Sequence, residues 1–250
     1  MVKKCLLGLA LALIWLGARH VSAETLTFQS TESATTLIEL FTSEGCSSCP
    51  PADKWLSKFK NNPDLWSHVV PVAFHVDYWN NLGWRDRFSR PEFTERQRGY
   101  GAAWGIESIY TPNFVVNGRE WRGWLGGETM PVRRENAGNL RVILTDRKQV
   151  EAAFIPIGTP PPSLQLEVAL LGSDLASDVK RGENSGRKLQ HDFVVLSLAR
   201  IDMRSASDRW SGTVSLSSGA NVDKPTALAA WVKSGETGVP LQATGGWLKP

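Results

Sequence analysis

Cys46 and Cys49 stand three residues apart in the run Gly45-Cys46-Ser47-Ser48-Cys49-Pro50. Two thiols at that spacing can form an internal disulfide; alternatively, one attacks an external disulfide and the other resolves the mixed species. Stapling explains the pair poorly, because closing so short a loop removes little unfolded-chain entropy. The attacking species is the thiolate. It is favoured at a helix start, where unpaired N–H groups and the positive dipole end pull a thiol below its free pKa of about 8.5. On this reading Cys46 attacks and Cys49, further into the helix, resolves.

The flanking elements must place the pair at such a start. Thr36-Leu37-Ile38-Glu39-Leu40-Phe41 reads as a buried strand, ended by Gly45. A helix follows. Ala52, Trp55, Leu56 and Phe59 recur at i, i+3, i+4 and i+7, Pro50 and Pro51 fit its first turn, and Asp53 suits its positive end. Asn61-Asn62-Pro63 stops it, and Val69 to Val76 forms a second strand, which together predict a right-handed parallel βαβ unit. Ser89 with Glu92 three residues on forms a capping-box pattern for a helix running to about Trp104. Asn113 to Val116, the Asn117-Gly118 turn and Arg119 to Trp121 read as a hairpin. Just ahead of it lies Thr111-Pro112. A proline there, in a thioredoxin-like fold, takes the cis form beside the cysteines, a bond that only proline makes at low cost.

Beyond Gly127, Leu140 to Leu144, Val150 to Ile155, Leu164 to Leu171, Phe193 to Ile201, Thr213 to Leu216 and Leu228 to Val232 look like successive strands. Val150 to Phe154 also fits the end of a short helix. The expected fold class is an α/β thioredoxin-like domain, residues 24–128, followed by an antiparallel, sandwich-like β domain, residues 129–250. Residues 1–23 fit a signal peptide: Lys3 and Lys4, an apolar stretch too short to span a bilayer, and Val21-Ser22-Ala23 before Glu24. Its removal would discard Cys5 and place the protein in the periplasm or outside the cell, with no membrane attachment.

Loss of Lys3, Lys4 and Arg19 brings the 28 basic residues down to the number of acids, 25, so the mature chain is formally neutral. No basic run survives to track a phosphate backbone, and nucleic acid is not an expected partner. Arg85, Arg87, Arg90, Arg96 and Arg98 are interleaved with Asp86, Glu92 and Glu95 and read as a solvated face.

Asp77, Tyr78, Trp79 and Asn80 should emerge beside Cys46, since sites in α/β sheets lie at the carboxyl ends of parallel strands. Packing under the loop from Asn80 to Phe88 is an equal reading for the aromatic residues. Glu39, if it lies behind the sulfurs, is a candidate acceptor for the proton of the resolving thiol; if it points outward it is only a strand residue. His75 is the one neighbour that could join the cysteines on copper or zinc, but no second Cys or His cluster supports it, and no cofactor is expected. Gly182 to Lys188 lacks phosphate-loop spacing and reads as a structured loop.

Glu39 to Asp53, the block His75-Val76-Asp77-Tyr78-Trp79-Asn80, Tyr110-Thr111-Pro112, Val116-Asn117-Gly118 and Gly182-Glu183-Asn184-Ser185-Gly186-Arg187 resemble the DUF1223 family of bacterial secreted proteins. The resemblance implies a thioredoxin-like fold, an extracytoplasmic location and a redox-type cysteine site, but no substrate. Gly45 stands where ordinary thioredoxins carry tryptophan, and Ser47-Ser48 replaces Gly-Pro. The expected activity is thiol–disulfide exchange with a protein or a small-molecule thiol. The site is Cys46 and Cys49, supported by Thr111, Pro112, Glu39, Asp77 and Trp79. The rival readings are a binding protein with a structural disulfide and a metal-handling protein.

Overall fold

The computed structural model describes residues 24–217 and 224–248, so the expected leader and Cys5 lie outside the described residues. Strands β1 (Thr25–Gln29) and β2 (Thr36–Thr42) lead into helix α1 (Pro50–Ser57), which a 3-10 turn extends over Lys58–Asn61. Strand β3 (Val69–His75), helix α2 (Pro91–Ala103) and the hairpin of β4 (Asn113–Val116) and β5 (Arg119–Trp121) follow. The rest is strand: β6 (Gly138–Thr145), β7 (Gln149–Pro156), β8 (Leu164–Gly172), β9 (Leu175–Asp178), β10 (Lys188–His191) and β11 (Val194–Asp202). Then come β12 (Arg204–Ala206), β13 (Arg209–Ser215), β14 (Ala227–Ser234) and β15 (Pro240–Trp247).

The chain is therefore mostly β. Eight strands form one mixed sheet in the order β15-β14-β8-β11-β3-β2-β4-β5, five form an antiparallel sheet β1-β6-β7-β13-β12, and β9 and β10 pair alone. Val150 to Ile155 lies in β7, a strand and not a helix. The expected division near residue 128 does not interrupt hydrogen bonding, because β11 lies parallel to β3, with Val194 beside Ala73.

Every residue of β2 and β3 is buried, as expected of parallel strands covered on both faces. Period-2 alternation sorts their side chains. Phe41 stacks on Phe74 and meets Tyr100 of α2 edge-on, while Phe74 meets Phe93 of α2, so Glu39 and Phe41 face α2. Leu40 and Thr42 then face α1, whose Trp55 packs on Phe114, the cross-strand neighbour of Leu40. A second core lies between the sheets, where Leu164, Leu166, Val168 and Leu170 of β8 meet Leu140, Val142, Val150 and Phe154. The alternate β8 residues Glu167, Ala169 and Leu171 turn to the other face.

Two expectations need correction. Ser89 does not cap α2: the N-cap is Arg90, without a side-chain cap, and Pro91 occupies the first turn. The Ser89 hydroxyl instead donates to the Asp86 carbonyl. The stretch expected as a solvated face also contains buried charges, since Asp86 is 2% and Arg96 9% exposed. Arg96 shares the buried face of α2 with Phe93, Gln97 and Tyr100, and its guanidinium is paired with Glu39 and Glu167.

Candidate functional site

Cys46 and Cys49 are joined as a disulfide, with Cα atoms 5.4 Å apart. The chain leaves the end of β2, turns through Ser43 to Gly45, and enters α1 with Cys49 as the N-cap residue. Both cysteines are 0% exposed, whereas Ser47 and Ser48 between them are open to solvent. Pro50 and Pro51 fill the first helical positions and carry no N–H, and the amides of Ala52 and Asp53 both donate to the Cys49 carbonyl. The helix start thus offers the sulfurs the dipole but few free donors, fewer than the sequence reading assumed. The Ser48 hydroxyl lies 3.3 Å from Cys46 Sγ.

Trp79 joins the cysteine loop to the proline. A Cβ built on Gly45 would meet the Trp79 Cβ at 2.9 Å, and the Trp79 indole N–H donates to Thr111 Oγ1 at 2.8 Å. The Thr111–Pro112 bond is cis. Pro112 and Ser48 line one groove of about 480 Å³ with Tyr110, Phe114, Trp121 and Trp124. The side chain of Trp79 therefore occupies the space that a bulky residue at position 45 would need.

Asp77 is placed differently. Its carboxylate accepts from Thr94 Oγ1 at 2.5 Å, which in turn accepts from the Asp77 amide, so the side chain ties the end of β3 to α2. Tyr78 donates to Gln97 Oε1, and burial pushes its hydroxyl up to about 12, so it holds its proton near neutral pH. Glu39 is buried, but on the α2 face: Arg96 and the Tyr100 hydroxyl both bond its carboxylate. The sulfurs lie on the α1 side of the sheet, so Glu39 is not a proton acceptor for Cys49. His75 is engaged by Asp86, Nδ1 to Oδ2 at 2.7 Å.

The loop from Gly182 to Arg187 folds over the cysteine turn. Asn184, fully buried, donates from Nδ2 to the carbonyls of Glu44 and Cys46, both at 2.9 Å. Glu183 Oε2 accepts the Ser47 amide at 3.0 Å, and the Ser47 side chain and amide hold its carboxyl below the usual range. Trp84 reaches in from the 80–88 loop, its indole N–H donating to Glu44 Oε2 at 2.7 Å. A Cβ on Gly182 would lie 3.1 Å from the Leu82 carbonyl oxygen, so the two loops meet over the site.

The profile of a protein family described as "Protein of unknown function (DUF1223)" matches residues 37–233, a span that takes in the cysteines, the cis proline and the Asn184 loop. The chain belongs to the DUF1223 family. Among solved structures, a protein from Agrobacterium tumefaciens is 26% identical, with a TM-score of 0.56 over 87% of this chain and 95% of that one. HBP35 of Porphyromonas gingivalis, 18% identical, has a TM-score of 0.57 over 88% of this chain and 76% of its own, a likeness of fold alone. None of the curated proteins matches.

In this DUF1223 chain the sequence reading missed the groups beneath the disulfide. Asp53 on α1 is 6% exposed; burial pushes its carboxyl above the ordinary range, partly offset by His191 and His75. His191, from β10, places Nδ1 3.7 Å from Asp53 Oδ2 and Nε2 3.5 Å from Glu44 Oε1. Burial opposes the charged form of Asp86 as well, but His75 and the amides of Glu44 and Phe88 outweigh it and hold the carboxyl low. His75 is raised in turn, burial being outweighed by Asp86. Glu44 is lowered: His191 and Trp84 outweigh its burial. The only signal in the sequence was Asp53 at four residues from Cys49; His191 reaches the site from a strand more than a hundred residues on. Among the described residues no group of three or more His, Cys, Asp or Glu is arranged to hold a metal ion, and no helix is long and apolar enough to cross a membrane.

Proposed function

We propose that the segment from β2 to β5 is a thioredoxin-like unit and that the protein is an exported thiol–disulfide oxidoreductase. Cys46 is the attacking sulfur and Cys49 the resolving one, acting on a protein or small-molecule thiol or disulfide. One observation carries this reading: a Cys-x-x-Cys pair enters a helix directly after a buried parallel strand, and its Ser48 shares a groove with a cis proline. A groove bordered by Ser48, which lies between the cysteines, and by Pro112 can hold an extended substrate beside the cysteine loop, which is the positioning that such exchange needs.

The test is alkylation of Cys46 against pH in the reduced protein, with exchange of a small disulfide measured alongside. A Cys46 pKa below about 8.5, with exchange lost in Cys46→Ser, is expected. A pKa at or above that value, or exchange that survives the substitution, overturns the assignment. Export is tested by mass spectrometry of the native protein, whose chain should begin at Glu24.

Complete burial of both cysteines favours a second reading, a binding protein with a permanent disulfide. A protein whose disulfide resists reduction until it unfolds would establish that reading in place of the first.

A further inference from the structure

Buried charge meets open space on the α2 face of the mixed sheet, the face opposite the sulfurs. Glu167 of β8 is fully buried, yet three cations converge on it: Arg96 of α2 at 2.7 Å, Arg200 of β11 at 2.9 Å and Lys233 of β14 at 2.7 Å. Glu39 is the other carboxylate of this network, held by Arg96 and by the Tyr100 hydroxyl. Burial raises the Tyr100 hydroxyl well above its ordinary range, so it keeps its proton and adds no negative charge. Three cations share two carboxylates, and no further carboxylate pairs with them among the described residues. The network carries one surplus positive charge.

A cavity of about 470 Å³ opens onto this network between α2, β11 and the turn from β14 to β15. All three cations line it, whereas Glu39 and Glu167 do not, so the carboxylates lie behind the positive groups. Side-chain exposure rises from 5% at Arg96 through 18% at Lys233 to 43% at Arg200, which carries the charge from the floor of the cavity to its mouth. Donors remain free there. Arg200 spends Nε on Glu167, and its two Nη groups have no partner among the described residues. Such a pair of parallel N–H groups is the fork that grips a carboxylate. Lys233 Nζ has Glu167 as its one partner among the described residues and can donate further. Gly99, Ala103 and Gly238 complete the wall with little or no side chain, which leaves room for the body of a ligand. The volume is that of a small-molecule site.

We propose that this cavity binds a small organic monocarboxylate, whose carboxylate is taken by Arg200 and Lys233 with Arg96 behind them and whose body lies along Gly99 and Ala103. One negative charge matches the surplus of the network and completes its neutralisation, which a partly buried charge cluster needs. More negative charge is opposed at the opening. Glu92 and Glu95 also line the cavity, exposed and paired with Arg90 and Arg98, and they repel a polyanion such as a multiply charged phosphate. The assignment is independent of the cysteine pair and of the redox reading.

The experiment is equilibrium dialysis of the intact protein against radiolabelled acetate, butyrate and benzoate at millimolar concentration, with inorganic phosphate as competitor at constant ionic strength. One equivalent of butyrate or benzoate should be retained per chain, more tightly than acetate, which lacks a body to fill the cavity. Arg200→Gln and Lys233→Gln should each weaken binding by about tenfold or more, the ordinary loss of a charged hydrogen bond. Gly99→Phe should abolish it. A Cβ at residue 99 meets nothing within 4 Å, so that variant obstructs the cavity without touching the charge network. Should Lys233→Gln fail to fold, Arg200→Gln and Gly99→Phe decide, since both change exposed residues. No retention of any of the three carboxylates overturns the proposal, as does retention that Arg200→Gln and Gly99→Phe leave unmoved. Phosphate that displaces them at equal or lower concentration overturns the monocarboxylate assignment.

Discussion

Trp79 lies so close to Gly45 that a methyl group on residue 45 would sit 2.9 Å from the Trp79 Cβ and 3.3 Å from its carbonyl oxygen. Because the same indole donates to Thr111, the contact links the cysteine turn to the cis Thr111–Pro112 bond. Gly45→Ala should therefore displace Trp79 and the loop that follows. Overpacking of this kind costs typically 1–3 kcal/mol. Urea unfolding is the measurement, and a Gly45→Ala protein of unchanged midpoint would show that the turn yields freely.

Asn184 satisfies two buried carbonyls of the cysteine turn. Asn184→Ala leaves both without that donor, a loss of about 1–3 kcal/mol by the ordinary cost of buried unsatisfied groups. The 182–187 loop is the element released, so access to the disulfide should rise. Hydrogen exchange of the Ser47 amide, now donated to Glu183, reports the loosening, and the reduction rate with a bulky thiol should increase. Unchanged exchange and an unchanged rate would mean that the loop does not control access.

Arg96 is the hub of a second buried network, with Glu39 on one side and Glu167 on the other. Arg96→Met takes the cation from Glu39, which keeps the Tyr100 hydroxyl, while Glu167 keeps Lys233 and Arg200; breaking a buried pair by removing one partner costs about 3–5 kcal/mol. Adding Glu39→Gln should recover part of that loss. The double-mutant cycle, read by urea unfolding, checks the coupling; strict additivity would mean that the pair does not interact.

Much of the frame was legible because it depends on local pattern. The apolar run of β2 and the i, i+3, i+4, i+7 spacing of α1 are read from neighbours alone, and so is the Asn117-Gly118 turn, whose residues take positive φ of 51° and 79°. What was not legible depends on distant partners. For Glu39 the sequence leaves open burial behind the sulfurs or an outward strand position, whereas it is buried on the opposite face, where Arg96, 57 residues away, meets it. Asp86 looked solvated among arginines, and only His75 and the amides of Glu44 and Phe88 reveal why it is inside. The 182–187 loop carried no chemical motif, yet it supplies the side chain that holds the Cys46 carbonyl. Ser89 misled because Pro91 offered an equally good helix start two residues on.

Glu167 ties the same network to pH. Burial works against its charge, but Arg96, Lys233 and Arg200 outweigh it and lower the carboxyl from 4.5 to about 2. A depressed folded pKa contributes stability that is present above the unfolded value and lost as pH falls toward the folded one, here between about 4.5 and 2. The shift corresponds to roughly 3 kcal/mol at about 1.36 kcal/mol per unit. Unfolding free energy measured in urea at pH 7, 4 and 3 should fall in that window, and Glu167→Gln should flatten the fall. An equal slope in the variant would place the acid sensitivity on other carboxyls.

His75 and Asp86 give the opposite sign on the alkaline side. His75 is raised above 6.5, its burial outweighed by Asp86 at 2.7 Å, so its contribution is complete below 6.5 and disappears as pH rises through the folded value. Asp86 is depressed, so its own contribution is present above 3.8 and lost only as pH falls below it. Between those limits both groups are charged and the pair holds the 80–88 loop, through the Glu44 and Phe88 amides, against the cysteine turn. Asp86→Asn should remove the pairing and lower the His75 pKa, because burial of the imidazolium is then opposed only by the lesser attractions of Asp53 and Glu44. Proton NMR titration of the His75 ring is the measurement. A ring that titrates above 6.5 in the wild type and below it in Asp86→Asn is the expected pair of results; a ring whose titration ignores the substitution would show that Asp86 does not set its charge.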